Sequence, residues 1–289
     1  MEKITIITPT YNRANLLKIL YNSLLKQTVK DFKWLIIDDG SIDETKKVVD
    51  KIIDEKKLEI EYVFKENGGK HTALNVAFSN LKTELAVIVD SDDMLTDNAI
   101  ETIIFYHNKY KKHKKNLWGY VFLRGHDLNT PFVKFPEEET IANYNDYIIN
   151  AGINGDKCEV FYSNILKKYQ FDVYKNEKFI GEGYLWSKIS NNYDMVFINK
   201  VIYLCEYLED GLTKSGRTLR LKNPLGGRRH AEEYLDGKYS LKVRLKNSIL
   251  YVVYSLISKE KINFRKYKLC ILIFVPALIL KNYWCCKFK

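Results

Sequence analysis

Cysteine is sparse and poorly arranged for crosslinking. Cys158, Cys205, Cys270, Cys285 and Cys286 have neither the even count of a disulfide framework nor the paired spacing of a zinc site. A disulfide scaffold is thereby excluded, and a reducing compartment is expected. No leader pattern opens the chain, because Met1 to Thr8 runs straight into a strand pattern and Asn12-Arg13 follows at once, so the N-terminal domain is expected in the cytosol. Internal repeats and low-complexity stretches are absent, which excludes a solenoid. Long apolar runs are few as well. The longest, Leu269 to Leu280, would cover only ~18 Å as a helix against a hydrocarbon core of ~30 Å, and Pro276 interrupts it.

What the chain does have is bulk and positive charge. Its 289 residues are 46% hydrophobic, enough for a sizeable core, and the formal net charge is +10. The excess is not spread evenly. Lys238 to Lys268 carries nine Lys or Arg against the single acid Glu260, whereas the first hundred residues are close to balanced. A basic tail followed by an apolar segment with Tyr283 and Trp284 reads either as an interfacial membrane anchor or as a helix pair docked on the rest of the protein.

Hydrophobic spacing organises the first half. Lys3–Thr8 is a β-branched run ending at Pro9, and Leu16, Leu17, Ile19, Leu20, Leu24 and Leu25 follow at helical spacing. The unit recurs three times. Trp34–Ile37 precedes a helix marked by Val48, Val49, Ile52 and Ile53; Leu58–Phe64 precedes a helix over 70–80; Leu85–Val89 precedes a helix that Thr96 or Asp97 would cap. Such alternation predicts an α/β fold: a doubly wound, mostly parallel sheet with helices on both faces. After Leu117 the pattern weakens, with a strand at Trp118–Leu123 and a helix near Ile141–Ile149. The chain reads as loop from Gly211 to Gly227 and as helix again from about His230.

In doubly wound sheets the ligand crevice lies at the carboxyl ends of the strands. All the polar clusters fall there. Val87-Ile88-Val89-Asp90-Ser91-Asp92-Asp93 ends an apolar strand in three carboxylates within four residues. Their mutual repulsion is relieved by a hard divalent cation such as manganese or magnesium, although the same residues would also serve as a helix-capping loop. Pro9-Thr10-Tyr11-Asn12, Asp38-Asp39-Gly40-Ser41 and Asn67-Gly68-Gly69-Lys70-His71 close the other three strands. A Tyr ring can stack on a base, a carboxylate can accept from a nucleoside, and glycine before a helix offers amides to phosphate, with Lys70 adding charge for a diphosphate. Each cluster by itself is also an ordinary turn; four on one edge point to a nucleotide.

Ile4 to Arg13, Ile36 to Asp43 and Val89 to Asp93 together resemble the family 2 inverting glycosyltransferases of GT-A fold. The resemblance covers residues 3–110 closely and 155–215 more loosely. It implies that Thr10, Tyr11 and Asp39 contact the nucleoside, that Asp90 with Ser91 lies on the ribose side, and that Asp92 ligates the metal with Asp93 beside it. Pro9, Asn12, Asp38 and Lys70 complete the implied nucleotide set. It also implies a catalytic base bordering the acceptor cleft. In Phe179-Ile180-Gly181-Glu182-Gly183-Tyr184-Leu185-Trp186 the candidate is Glu182, with Glu209 and Asp210 in reserve; the family's usual acidic pair is reduced here to one acid. Processive members carry a Gln-x-x-Arg-Trp signature, but Gln27 and Gln170 are the only glutamines and neither has that context, so a single transfer is implied.

The expectation is therefore a GT-A domain over 1–225, with a nucleotide half at 1–115 and an acceptor half at 116–225, plus a helical extension over 226–289. Its donor is expected to be a UDP-sugar and its acceptor a surface glycan or lipid-linked oligosaccharide, at the cytoplasmic face of a membrane reached through the tail. Nucleic acid is not an expected partner, since a phosphate backbone wants a cationic groove and this crevice is acidic. The rival reading is a basic peripheral membrane protein with a degenerate nucleotide site. Of the histidines, His107 and His113 are expected in solvent, His71 beside the phosphate loop, and His230 either over the diphosphate, in the metal shell or at the surface; Trp186 is expected in the core or stacked on an acceptor ring.

Overall fold

The computed structural model describes residues 3–113, 116–205 and 212–288. By packing, the chain divides into two compact units, one of residues up to 143 with 153–170 and 192–205, the other of 144–152, 171–191 and the C-terminal helices.

The first unit is built on a nine-stranded mixed sheet. Four strands follow the expected alternation: β1 (Ile4–Thr10), β2 (Phe32–Asp38), β3 (Ile60–Phe64) and β4 (Leu85–Ile88), separated by α1 (Ala14–Leu25), α2 (Thr45–Asp54) and α3 (Lys70–Asn80). They lie parallel in the order β3-β2-β1-β4. The strand periodicity explains the two faces. Ile4, Ile6, Trp34, Ile36, Leu85 and Val87 pack in one cluster with α1, α2 and α4 (Ala99–Tyr110), while the alternate residues Ile7, Leu35, Ile37 and Ala86 are equally buried on the other side, where α3 packs on β1 and β2. Trp34 also donates its indole N–H to Thr8 Oγ1 at 2.9 Å, so the largest side chain of that core leaves no polar atom unpaired.

The remaining strands run in mixed directions. β5 (Met94–Leu95) and β7 (Glu139–Ala142) pair antiparallel with the long β9 (Asp194–Leu204), which runs parallel to β6 (Leu117–Gly125). β8 (Lys157–Tyr162) sits antiparallel between β4 and β6 and leads into the single turn α5 (Ser163–Leu166).

Several details differ from expectation. Glu139–Ala142 is a strand, because its backbone pairs with Met195–Ile198, and a π-helical turn at Asn145–Asn150 takes the rest of the expected helix. α4 starts behind Asn98 with no side-chain cap; the Thr96 hydroxyl instead donates to Asn98 Oδ1 at 3.2 Å. His107 is buried rather than solvated: it lies on the inner face of α4 with Ile100 and Ile103, its Nε2 3.0 Å from Glu84 and its Nδ1 3.1 Å from Tyr120 Oη. Burial pushes its pKa down, partly offset by Glu84. His113 is exposed, as expected.

The second unit is helical: α6 (Gly183–Ile189), α7 (Leu212–Lys222, kinked at Gly216), α8 (Pro224–Glu233), α9 (Leu241–Ser258), α10 (Leu269–Leu272) and α11 (Phe274–Lys287). The expected loop through Gly227 is thus helix. Pro224 opens α8 with its fixed φ, and Gly226 and Gly227 serve close packing: a Cβ at Gly226 would fall 2.3 Å from Phe179 O, and one at Gly227 would fall 3.0 Å from the Tyr254 ring.

Gly119 is a comparable constraint in the sheet, where a Cβ would meet Val160 O of β8 at 2.0 Å. Gly119→Ala is expected to force β6 from β8 and destabilise the protein by about 1–3 kcal/mol, read as a lower urea midpoint.

Candidate active site

The register of the parallel strands aligns their ends, with Thr10 opposite Asp38 and Asp38 opposite Phe64. Thr10 O accepts from Asp39 N–H at 2.8 Å, and the β1 loop is then laced to the β2 loop. Asn12 takes φ +53°, a conformation asparagine tolerates; its N–H donates to Ser41 Oγ (2.8 Å) and its Oδ1 accepts from Ile42 N–H (2.9 Å). Tyr11 is left about half exposed beside this lacing, whereas Thr10 is buried with no hydrogen-bond partner for Oγ1 among the described residues. Pro9 lies within β1, opposite Ile37.

The two aspartates ending β2 have different local work. Asp38 is fully buried, accepting from Ser41 N–H (2.7 Å) and Tyr62 Oη (2.7 Å). Asp39 shapes the next loop: its carboxylate accepts from Gly68 N–H (2.9 Å), Gly69 N–H (2.7 Å) and Lys65 Nζ (2.5 Å). Gly40 at φ +83° permits this closure, for a Cβ there would lie 2.7 Å from Asn67 N.

That loop delivers Lys70, the first residue of α3, to the end of β4. Lys70 Nζ lies 2.6 Å from Asp90 Oδ1, and Arg124, at the end of β6, brings Nη1 to 3.9 Å from Asp90 Oδ2. Burial alone would raise the Asp90 pKa, but the two cations outweigh it and hold it below the usual carboxylate range. Arg124 also stacks over the Tyr203 ring at 3.9 Å. Tyr203 Oη accepts from Asp90 N–H (3.0 Å) and donates to Asp93 Oδ2 (2.6 Å), binding both ends of the Asp90–Asp93 turn to β9. Asp93 is pushed up to about 7 by burial and by Asp90, and Asp92 is raised by the same two causes. Ser91 is buried between them.

Sequence reasoning found the carboxylates and Lys70 but missed Arg124 and Tyr203. The only signal for Arg124 was a cation ending the apolar run Trp118–Leu123.

A divalent ion fits this chemistry in part. Among the described residues no group of three or more His, Cys, Asp or Glu is arranged to hold a metal. Asp90 and Asp93 already have side-chain partners, whereas the Asp92 carboxylate accepts from its own backbone N–H. The hard oxygens of Asp92, with Asp93 beside it, suit manganese or magnesium whose remaining ligands come from elsewhere.

Glu182 belongs to the second unit, directly before α6, and its C=O accepts from Leu185 N–H at 2.9 Å. The loop in front of it is fastened to α8. Glu177 accepts from Leu225 and Gly226 N–H at 2.8 Å each, Lys178 N–H donates to Asn223 Oδ1 at 2.7 Å, and His230 Nδ1 stands 3.3 Å from Gly181 O. His230 is thus packed against this loop, and its pKa is pushed down to about 4, chiefly by burial. Trp186 is buried, edge-on to Phe171 at 6.0 Å, which places it in the core. His71 is buried on the first turn of α3, beside the phosphate-type loop. Glu209 and Asp210 lie outside the described residues.

Residues 5–114, which contain every strand-end cluster of this crevice, match the family model for glycosyl transferase family 2. The N-terminal part of this chain is a family 2 glycosyltransferase domain. An uncharacterized glycosyltransferase of Mycoplasma genitalium is 37% identical over 131 residues, 40% of this chain and 44% of that protein, so the chain spans less than half of that relative's length. Two solved structures share the fold over most of the chain. TarS of S. aureus in complex with UDP-GlcNAc is 21% identical with a TM-score of 0.64, covering 91% of this chain and 74% of that one. The mannosyltransferase PcManGT of Pyrobaculum calidifontis, in complex with GDP-Man and Mn2+, is 15% identical with a TM-score of 0.59, covering 99% and 83%.

Because a histidine that folds neutral must bind a proton on unfolding, His230 adds stability at neutral pH that is lost as pH falls from its ordinary 6.5 through about 4. His230→Asn is expected to flatten that part of the stability curve by about 1–3 kcal/mol, measured by urea unfolding across the window.

Proposed function

We propose that this protein is a metal-dependent inverting glycosyltransferase that moves one sugar from a UDP-sugar to a hydroxyl of a surface glycan or lipid-linked oligosaccharide. The observation that carries the reading is the convergence of Tyr11, the Asn67–Lys70 loop, Asp92 and Arg124 on one sheet edge within a family 2 domain. A half-exposed ring, two cations and the Asp92 carboxylate are what a base, a diphosphate and a metal require.

In this reading residues 1–115 bind the donor, 116–225 receive the acceptor, and 226–289 form a helical extension that meets the cytoplasmic face of a membrane. Glu182 accepts the proton of the attacking hydroxyl as that oxygen displaces the diphosphate from the opposite face of the anomeric carbon. Lys70 and Arg124 oppose the charge that develops on the leaving group. A divalent ion at Asp92 and Asp93 would add Lewis-acid stabilisation there. The solved complexes of TarS with UDP-GlcNAc and of PcManGT with GDP-Man and Mn2+ support a nucleotide-sugar donor by likeness of fold.

Calorimetry with UDP tests the donor half. Binding is expected to need manganese, and Asp92→Ala is expected to weaken it about tenfold or more, close to 1.4 kcal/mol. Absence of UDP binding by the folded protein with manganese present would favour a degenerate site on a membrane-binding protein. Glu182→Gln tests the base independently: turnover should fall about 10²–10⁴-fold with UDP affinity unchanged, and an unaltered rate would remove Glu182 from the chemistry.

A further inference from the structure

α10 and α11 are apolar on two faces, and only one of them is used by the protein. Cys270, Ile273, Ala277 and Trp284, spaced three to seven residues apart, are buried in a cluster with Tyr251, Val252, Val253 and Tyr254 of α9. The opposite face carries Ile271, Leu272, Val275, Leu278, Ile279 and Tyr283, at helical spacing and mostly more than half exposed, with Leu272 at 76%. A soluble surface helix would place charge along that stripe. Here the exposed cations stand at its ends, and Lys281, the one charge within α11 before Lys287, is only partly exposed. Lys261, Arg265, Lys266 and Lys268 are exposed in the segment leading into α10, Lys287 closes α11, and Glu260 is the one acid between Lys259 and Lys287.

We propose that this ridge is a docking surface for an anionic lipid bilayer, with α10 and α11 lying in the plane of the headgroups, a site that gives residue-level form to the membrane contact of the proposed function and rests on that part of it. Geometry excludes crossing: α11 has 14 residues, about 21 Å of helix, and no helix among the described residues is long and apolar enough to cross a membrane. An aliphatic stripe ended by cations, with Tyr283 at one end, matches a layer that is apolar below and negatively charged at its surface. A second copy of the chain suits the ridge poorly, because self-pairing would bring two identical cationic rims together.

Flotation of the full chain with vesicles decides the matter. It is expected to rise with phosphatidylcholine vesicles containing about one-quarter phosphatidylglycerol, to bind pure phosphatidylcholine weakly, and to lose binding in high salt. Val275→Glu/Ile279→Glu should lower the bound fraction about tenfold or more at an unchanged melting temperature, since both positions are exposed. Arg265→Glu/Lys268→Glu should remove the preference for the anionic lipid while leaving the apolar stripe intact. Leu128→Glu, at an exposed apolar residue of the first unit, should change nothing. Failure of the wild-type chain to float, or equal flotation of the Val275/Ile279 variant, overturns the proposal; so does self-association by sedimentation that Ile279→Glu abolishes, which would make a second copy the occupant. UDP calorimetry on the same proteins separates the two readings, because lipid binding stands or falls without nucleotide.

Discussion

Three aspartates within four residues cannot all keep their charge in a buried strand end unless cations are built around them, and the first unit meets that requirement for Asp90 while Asp92 and Asp93 are raised. Asp90 is flanked by Lys70 and Arg124, and Tyr203 ties both ends of the Asp90–Asp93 turn. Each partner sits on a different element: Lys70 on α3, Arg124 on β6, Tyr203 on β9. The mixed half of the sheet thereby becomes part of the site. β6 and β9 pair in parallel, which brings Arg124 opposite Tyr203 in the ladder and allows the guanidinium to stack on the phenol.

The same demand accounts for the loop between β3 and α3. Lys70 reaches Asp90 because the Asn67–Gly69 segment is folded onto Asp39, whose carboxylate takes both glycine amides and Lys65. Asp39 was expected to face the nucleoside. Its bonds show that it shapes the loop that carries the cation, so a change there would be felt at the β4 end. Asp38 is more completely structural, since its two oxygens serve the Ser41 turn and Tyr62.

How much of this could be read from the sequence follows from how local each signal is. The four parallel strands and three helices were legible because each rests on a few adjacent residues with a clear period, and α3 falls on the expected 70–80. The strand-end clusters were legible for the same reason. Arg124 and Tyr203 were not, because their partners are 34 or more residues away in sequence and depend on pairing that alternation does not encode. His107 was misread because the lysines around it suggested solvent, while its helical phase, shared with Ile100 and Ile103, pointed inward. The stretch ending at Gly226-Gly227 was read as loop, whereas both glycines lie in α8. Two adjacent glycines in a helix cost stability relative to alanine, and only the approach of Phe179 and Tyr254, invisible without the fold, explains them.

Those glycines carry a further consequence for Glu182. The loop 177–182 has no regular secondary structure of its own, yet it is joined to α8 by the Glu177 carboxylate, Asn223, His230 and the close approach at Gly226. A carboxylate intended to take a proton at a defined angle needs such a support, because proton transfer is sensitive to small displacements. α8 in turn packs on α9, the helix that also holds the inner face of α10 and α11. The loop proposed to carry the base therefore rests on α8, the ridge proposed to meet lipid rests on α9, and the two helices pack on each other.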